Sequence, residues 1–193
     1  MTDKTCLICH RKSANEPYVK EAVKAVRKEG IDLRVLVPFN KAEKPRVVSE
    51  ALERGAERII ACGGDGTINA VANALVGNGK TRPTAELGVF PLGTANDFAR
   101  GLGLPSENLV ECLRIACTRE SRPIDVGVMN KRFFINVASA GFGAEITATT
   151  PINLKKALGG GAYTLMGMVK ALQLTPYRGQ LILPGEEPVD GSM

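Results

Sequence analysis

The segment Arg58-Ile59-Ile60-Ala61-Cys62-Gly63-Gly64-Asp65-Gly66-Thr67-Ile68-Asn69, continuing through Ala70 to Val76, decides the fold. An apolar run of strand length stops at glycines and passes directly into a helix-period stretch, which is the strand, loop and helix of a βα unit. A strand followed by a helix implies a parallel neighbour, because parallel strands need a crossover between them.

Toward both ends the same alternation recurs. Thr5 to Cys9 reads as a first strand, and Pro17 opens a helix with Val19, Ala22, Val23 and Val26 on one face, ended by Gly30. Leu33 to Val37 is a second strand; Pro45 starts a helix through Val47, Val48, Ala51 and Leu52 that Gly55 closes. After the third strand, Arg58 to Cys62, come a helix over Thr67 to Val76, a strand at Leu87 to Pro91 and a helix at Leu109 to Cys117. This order predicts an α/β fold, an open and mainly parallel sheet with helices on both faces, over residues 1–123.

Beyond Pro123 the character changes. Ile124 to Met129 and Arg132 to Ser139 are strand-like runs joined by Asn130-Lys131, the pattern of a hairpin. A helix is expected at Tyr163 to Leu172 and a strand at Gln180 to Leu183, before the final PGEEPVDGSM. That last strand has no evident downstream partner, and a two-stranded unit is marginal alone. Residues 124–193 therefore read as inter-domain segments and the beginning of a β-rich second domain in a truncated chain.

Composition limits the function classes. Of 193 residues 44% are hydrophobic and 23% charged, enough for a sizeable core and unlike a disordered chain. A net charge of +5 favours anionic partners without choosing among nucleotide, nucleic acid and phospholipid. The start, MTDKTCLICH, lacks an apolar signal core, and no apolar span reaches membrane length, so a cytoplasmic protein is expected. The five cysteines lie in apolar runs and read as buried thiols. Cys6 and Cys9 form a CxxC, but no second pair follows at zinc spacing, so no metal site is assigned. His10, the single histidine, reads as a loop residue.

The chemistry concentrates at two strand-end loops. In Gly63-Gly64-Asp65-Gly66-Thr67, three glycines remove side chains that would block a phosphate, while the following helix aims free N–H groups and its positive dipole end at the same point. Asp65 would repel that phosphate unless it binds magnesium, a ribose hydroxyl or a cation, which favours a nucleotide with its counterion. The second loop, Pro91-Leu92-Gly93-Thr94-Ala95-Asn96-Asp97-Phe98-Ala99, repeats the scheme. Neighbouring strands bring such loops to one crevice, where Thr94 can face the phosphates and Asn96 and Asp97 can cap a helix. For Asp97 a plain helix cap and a substrate-side role are equally open.

GGDGT at Gly63 to Thr67 followed by PLGTANDFA at Pro91 to Ala99 resembles the catalytic domain of diacylglycerol kinases, sphingosine kinases and the bacterial YegS-type lipid kinases. GGDGT alone is shared with NAD kinases and is similar to a phosphofructokinase loop; GTxNDFA is the more specific element. Ile124-Asp125-Val126, Phe134-Ile135-Asn136 and Gly141-Phe142-Gly143 extend the likeness over nearly the whole chain. The resemblance implies ATP and Mg²⁺ in a cleft between an α/β domain and a β-sandwich domain, with the γ-phosphate passing to a lipid hydroxyl. Carried over residue by residue, Gly63, Gly64, Asp65, Gly66, Thr67, Asn69 and Thr94 would contact nucleotide, and Asn96 and Asp97 would shape the lipid side.

The family's acidic general base falls beyond this chain, so no catalytic base is assigned within it; Asp125 and Glu145 read as ordinary solvated acids. His10, Ala70 and Pro38 stand where relatives carry Asn, Glu and a nucleotide-contacting Thr. The partners implied are a lipid at a membrane surface and no nucleic acid, with a homodimer left open. The basic stretch Asn153 to Gly161, holding Lys155 and Lys156, could rest on an anionic inner membrane surface, although an exposed helix end explains it as well. Two other readings stand beside the lipid kinase. A soluble-substrate kinase of the NAD kinase type would carry Asn-Glu where this chain has Asn96-Asp97; a non-catalytic nucleotide-binding protein is the other.

Overall fold

The computed structural model describes residues 4–77, 83–130, 132–138, 141–151, 153, 161–171, 178–182 and 185–192. Contacts divide the chain into two units, Met1–Val137 and Ala138–Met193.

In the first unit β1 (Thr5–Cys9), β2 (Leu33–Leu36), β3 (Arg58–Gly63) and β4 (Glu86–Pro91) form a four-stranded sheet in the order β2-β1-β3-β4. All three pairings are parallel. Among the described residues six α-helices accompany it: α1 (Arg11–Ala14), α2 (Pro17–Lys28), α3 (Lys44–Glu53), α4 (Asp65–Val76), α5 (Asp97–Gly101) and α6 (Leu109–Thr118).

Successive strand side chains point to opposite faces, and both faces are covered. Cys6, Ile8, Ile59, Ala61 and Val89 pack with Val47, Val48 and Ala51 of α3 and Ile68, Val71 and Leu75 of α4. On the other face Leu7, Cys9, Ile60, Cys62 and Phe90 pack with Val19, Ala22 and Val26 of α2 and Leu113 and Ala116 of α6. Burial on two sides is why β1 and β3 read as unbroken apolar runs; each fully buried Ile, Leu or Val contributes about 1.5–3 kcal/mol. The same alternation separates Cys6 from Cys9, so the CxxC cannot close on one ion. All five cysteines are buried thiols that take part in no disulfide.

The foot of the sheet is held by Arg58. Its guanidinium bonds the Glu86 carboxylate and the carbonyls of Cys117 and Arg119, the latter at 3.0 Å, at the C-terminal end of α6. A cation there also meets the negative end of the helix. Hydrogen bonds from Ser121 and from Arg58 hold the Glu86 carboxyl below the ordinary glutamate range.

The hairpin appears as β5 (Gly127–Met129) and β6 (Arg132–Phe134), antiparallel and shorter than the apolar runs, with Asn130 turning at φ 49. It is part of the first unit, whose division from the second falls after Val137.

In the second unit α7 (Gly141–Thr149) packs on α8 (Gly161–Ala171). The expected lone strand is corrected: β7 (Arg178–Leu181) pairs antiparallel with β8 (Val189–Ser192), Leu181 opposite Val189. Gly185, at φ 82, lies in the reversal between them. Val-Asp-Gly-Ser has one apolar residue and a glycine, so β8 carries almost no strand signal, and its pairing is visible only in the backbone. Leu172, Leu183 and the Lys155-Lys156 stretch lie outside the described residues.

Candidate functional site

The chain winds from β1 through α2 on one face and from β3 through α4 on the other. The strand order therefore reverses between β1 and β3, which opens a crevice beyond their carboxyl ends. The loop after β3 sits there. Gly63 ends the strand, and a Cβ on it would stand 2.6 Å from Thr67 Oγ1. Gly64 occupies the N-cap position, its carbonyl accepting from Thr67 N at 2.8 Å and Ile68 N at 3.1 Å. Helix α4 begins at Asp65, earlier than the expected Thr67, because the glycine loop closes its first turn within itself. The first amides of α4 point out of that end, with Gly66 exposed beside them.

The loop after β4 is fused to this one. Leu92 N donates to Gly63 O at 3.0 Å, extending the ladder past the strand ends. Gly64 and Gly93 meet backbone to backbone, so closely that a Cβ on Gly93 would lie 2.5 Å from Gly64 Cα. Asn96 stands in the left-handed region at φ 51, ψ 42, and its side chain turns back onto Gly93. Its Oδ1 accepts from Gly93 N at 2.7 Å and its Nδ2 donates to Gly93 O at 2.9 Å.

Asn96 therefore does not cap α5 with its side chain, contrary to expectation. Asp65 does so from the other loop: Oδ2 accepts from Asp97 N at 3.2 Å and Oδ1 from Phe98 N at 3.0 Å. This resolves the acid in an anion loop, since its charge is turned onto the N-terminal amides of a second helix. Thr94 and Asp97 are left exposed at the mouth, with Thr67 half-buried behind them.

Asn69 is engaged elsewhere. Its Oδ1 accepts from Ile135 N at 3.2 Å, just beyond β6. One turn on, Asn73 accepts from Phe133 N at 3.0 Å and donates to Phe133 O at 2.6 Å and Asn69 O at 2.9 Å. Two carboxamides on one helix face thus stand in for a neighbouring strand. Sequence reading missed Asn73, although Asn at i and i+4 within an apolar helix is itself a signal, since Asn is a poor helix former without a partner. Replacing Asn73 with Leu is expected to speed hydrogen exchange of the Phe133 and Ile135 amides by about tenfold or more, while leaving β1 and β3 protected. Unchanged exchange at those two amides would refute the clamp.

Of the remaining residues, His10 caps the short α1, its Nδ1 accepting from Lys12 N at 3.2 Å, and is exposed. Pro38 is buried and Ala70 half-buried. Cys9 and Cys62 are register neighbours at the strand ends. They share a hydrogen bond that pulls the Cys9 thiol down and, with burial, pushes the Cys62 thiol up. Among the described residues no group of three or more His, Cys, Asp or Glu could hold a metal ion, and no helix is long and apolar enough to cross a membrane.

A profile of the diacylglycerol kinase catalytic domain matches residues 4–129, which include both loops and all four strands of the sheet. The chain belongs to the diacylglycerol kinase catalytic domain family. Within that family it is 50% identical over 184 residues to a "Probable lipid kinase YegS-like" of Chromohalobacter salexigens, covering 95% of this chain and 58% of that protein. A protein of the same description from Klebsiella pneumoniae is 47% identical over 173 residues, covering 89% of this chain and 57% of its own. The chain thus spans somewhat over half the length of these relatives. The fold matches the crystal structure of a protein from Bacillus anthracis str. Sterne described as a putative diacylglycerol kinase. There the TM-score is 0.71 at 22% identity, over 98% of this chain and 64% of that one.

Proposed function

We propose that this chain forms the nucleotide-binding part of an ATP-dependent lipid kinase, which passes the γ-phosphate to a hydroxyl of diacylglycerol, phosphatidylglycerol or a similar lipid. One observation carries the reading: two glycine-bearing loops meet at Gly64 and Gly93 over the open N-terminus of α4. Phosphoryl transfer asks mainly for positioning and charge neutralisation, and preset amides supply both without reorganising. In this reading Gly63, Gly64, Gly66, Thr67 and Thr94 meet the phosphates, while Asp65 and Asn69 act through the backbone they hold. Asn96 and Asp97 form the side toward the lipid.

Magnesium fits the same scheme. It keeps several waters and binds through phosphate oxygens with one or two carboxylates, so the exposed Asp97 suffices as a protein ligand. When bound it would neutralise phosphate charge. The base that accepts the hydroxyl proton is assigned to no residue of the chain. Work at the inner surface of a membrane, from the cytoplasm, follows from a lipid substrate.

Gly66 supplies the test. A Cβ there would meet nothing within 4 Å, so the protein alone has no steric need for glycine. Gly66→Ala is expected to raise stability, by up to about 1 kcal/mol, and yet weaken MgATP binding about tenfold in calorimetry, because the methyl group occupies the path of the phosphate. Equal ATP binding by both proteins would remove the loop from the site. Incubation of the full-length protein with labelled ATP, lipid vesicles and NAD should label lipid, whereas the 193-residue chain, lacking an assigned base, should label nothing; label in NADP alone would select the soluble-substrate kinase.

A further inference from the structure

Helix α4 and strand β6 run side by side in opposite senses, tied by Asn73 to Phe133 and by Asn69 to Ile135. The match is metric: four helical residues rise about 6 Å and two strand residues span about 6.7 Å. Ile135 lies beside Asn69, and the direction of β6 points Asn136, the next residue, toward the N-terminal turn of α4 before the chain turns.

The backbone at Asn136 is unusual. Val137 N donates to Ile135 O at 3.2 Å, and Asn136 has φ 77, which together describe a γ-turn of the rare, strained, positive-φ kind. Glycine would adopt it at no steric cost. The Asn136 side chain is exposed. A non-glycine residue held in a strained turn next to the clamped Ile135 is the kind of backbone outlier that motivates a functional hypothesis.

We infer that Asn136 is a ligand-contacting residue whose side-chain amide donates to the terminal phosphoryl group of a bound nucleoside triphosphate. This rests on the nucleotide reading proposed above. With the nucleoside in the crevice between β1 and β3, the phosphate tail runs across the end of α4 toward β6, and its last group is nearest to Asn136. A neutral carboxamide adds a directed donor without another charge. Asn69 and Asn73 are then positioning residues that deliver Asn136 to the site.

The test separates backbone from side chain. In the 193-residue chain Asn136→Gly relieves the turn, so the melting temperature should hold or rise. Binding of the β,γ-imido analogue of ATP should weaken about tenfold, as for loss of a hydrogen bond to a charged group, while ADP binding stays unchanged. A shift in the ratio of triphosphate to diphosphate affinity is something a merely structural role does not produce. Unchanged triphosphate affinity, or equal loss of both nucleotides, overturns the assignment. Gly93→Ala measured alongside distinguishes the two failures. If it weakens both nucleotides while Asn136→Gly weakens neither, only Asn136 falls; if neither variant nor the parent chain separates triphosphate from buffer, the nucleotide reading falls with it.

Discussion

Gly93→Ala should abolish measurable nucleotide binding while leaving the α/β core folded. The added methyl would stand 2.5 Å from Gly64 Cα and 2.7 Å from Asn96 Oδ1. Nonbonded carbons prefer about 3.5–4.0 Å, so the two loops must part by roughly 1 Å. Nothing flexible absorbs that displacement: one obstacle is backbone, and the other is a carboxamide already bonded twice to Gly93 itself. Overpacking of this kind costs about 1–3 kcal/mol of stability, which a core of two buried layers tolerates. Binding is hit harder, because a displacement of about 1 Å forfeits one or two hydrogen bonds to a charged phosphate, about a hundredfold or more in affinity. Calorimetric titration with MgATP and a thermal melt check both halves. A variant that melts several degrees lower but binds ATP like the parent would mean that contact between the loops serves packing alone.

The sheet was legible because its strands are buried on both faces. Apolar runs such as Ile59 to Cys62 cannot be mistaken for half-exposed strands, and glycine or proline bounds each of the longer helices α2, α3 and α4 between them. The meeting of the loops was legible too, since adjacent parallel strands that both end in glycine leave their loops no other place. Two features were hidden because a hydrogen-bond partner distant in sequence leaves no local trace, and a third, β8, because its own residues carry little strand preference. Asp65 caps a helix 32 residues away, a role no reading of GGDGT by itself contains. Asn69 and Asn73 face a segment 66 and 60 residues ahead, and only their poor fit to a helix interior hinted at partners. Strand β8 is specified by its pairing with β7 and by the turn at Gly185, with almost no strand preference of its own. Side chains that bond backbone are the least visible class, because any backbone segment can serve as their partner.

Asp65→Ala follows from that hidden contact and tests which role the acid performs. Removing the carboxylate strips the cap from α5, whose first amides are then satisfied only by water; loss of such a cap costs about 0.5–2 kcal/mol. With five residues, α5 has little intrinsic stability to offset this, so the loop from Leu92 to Asn96 loses its fixed end. ATP affinity is expected to fall about tenfold or more, as Thr94 and the Gly93 turn lose their place opposite Gly64. Asp65→Asn decides the cause. Its remaining carbonyl oxygen can still accept from Phe98 N, so a capping role predicts recovery of much of the stability and most of the ATP affinity, with or without magnesium. A carboxylate that serves the metal directly predicts the reverse: stability recovers, while affinity for MgATP stays as low as in Asp65→Ala and the magnesium dependence of binding disappears. Because asparagine differs from aspartate in charge but shares its ability to accept a hydrogen bond, the comparison turns on whether Asp65 acts through a helix or through an ion.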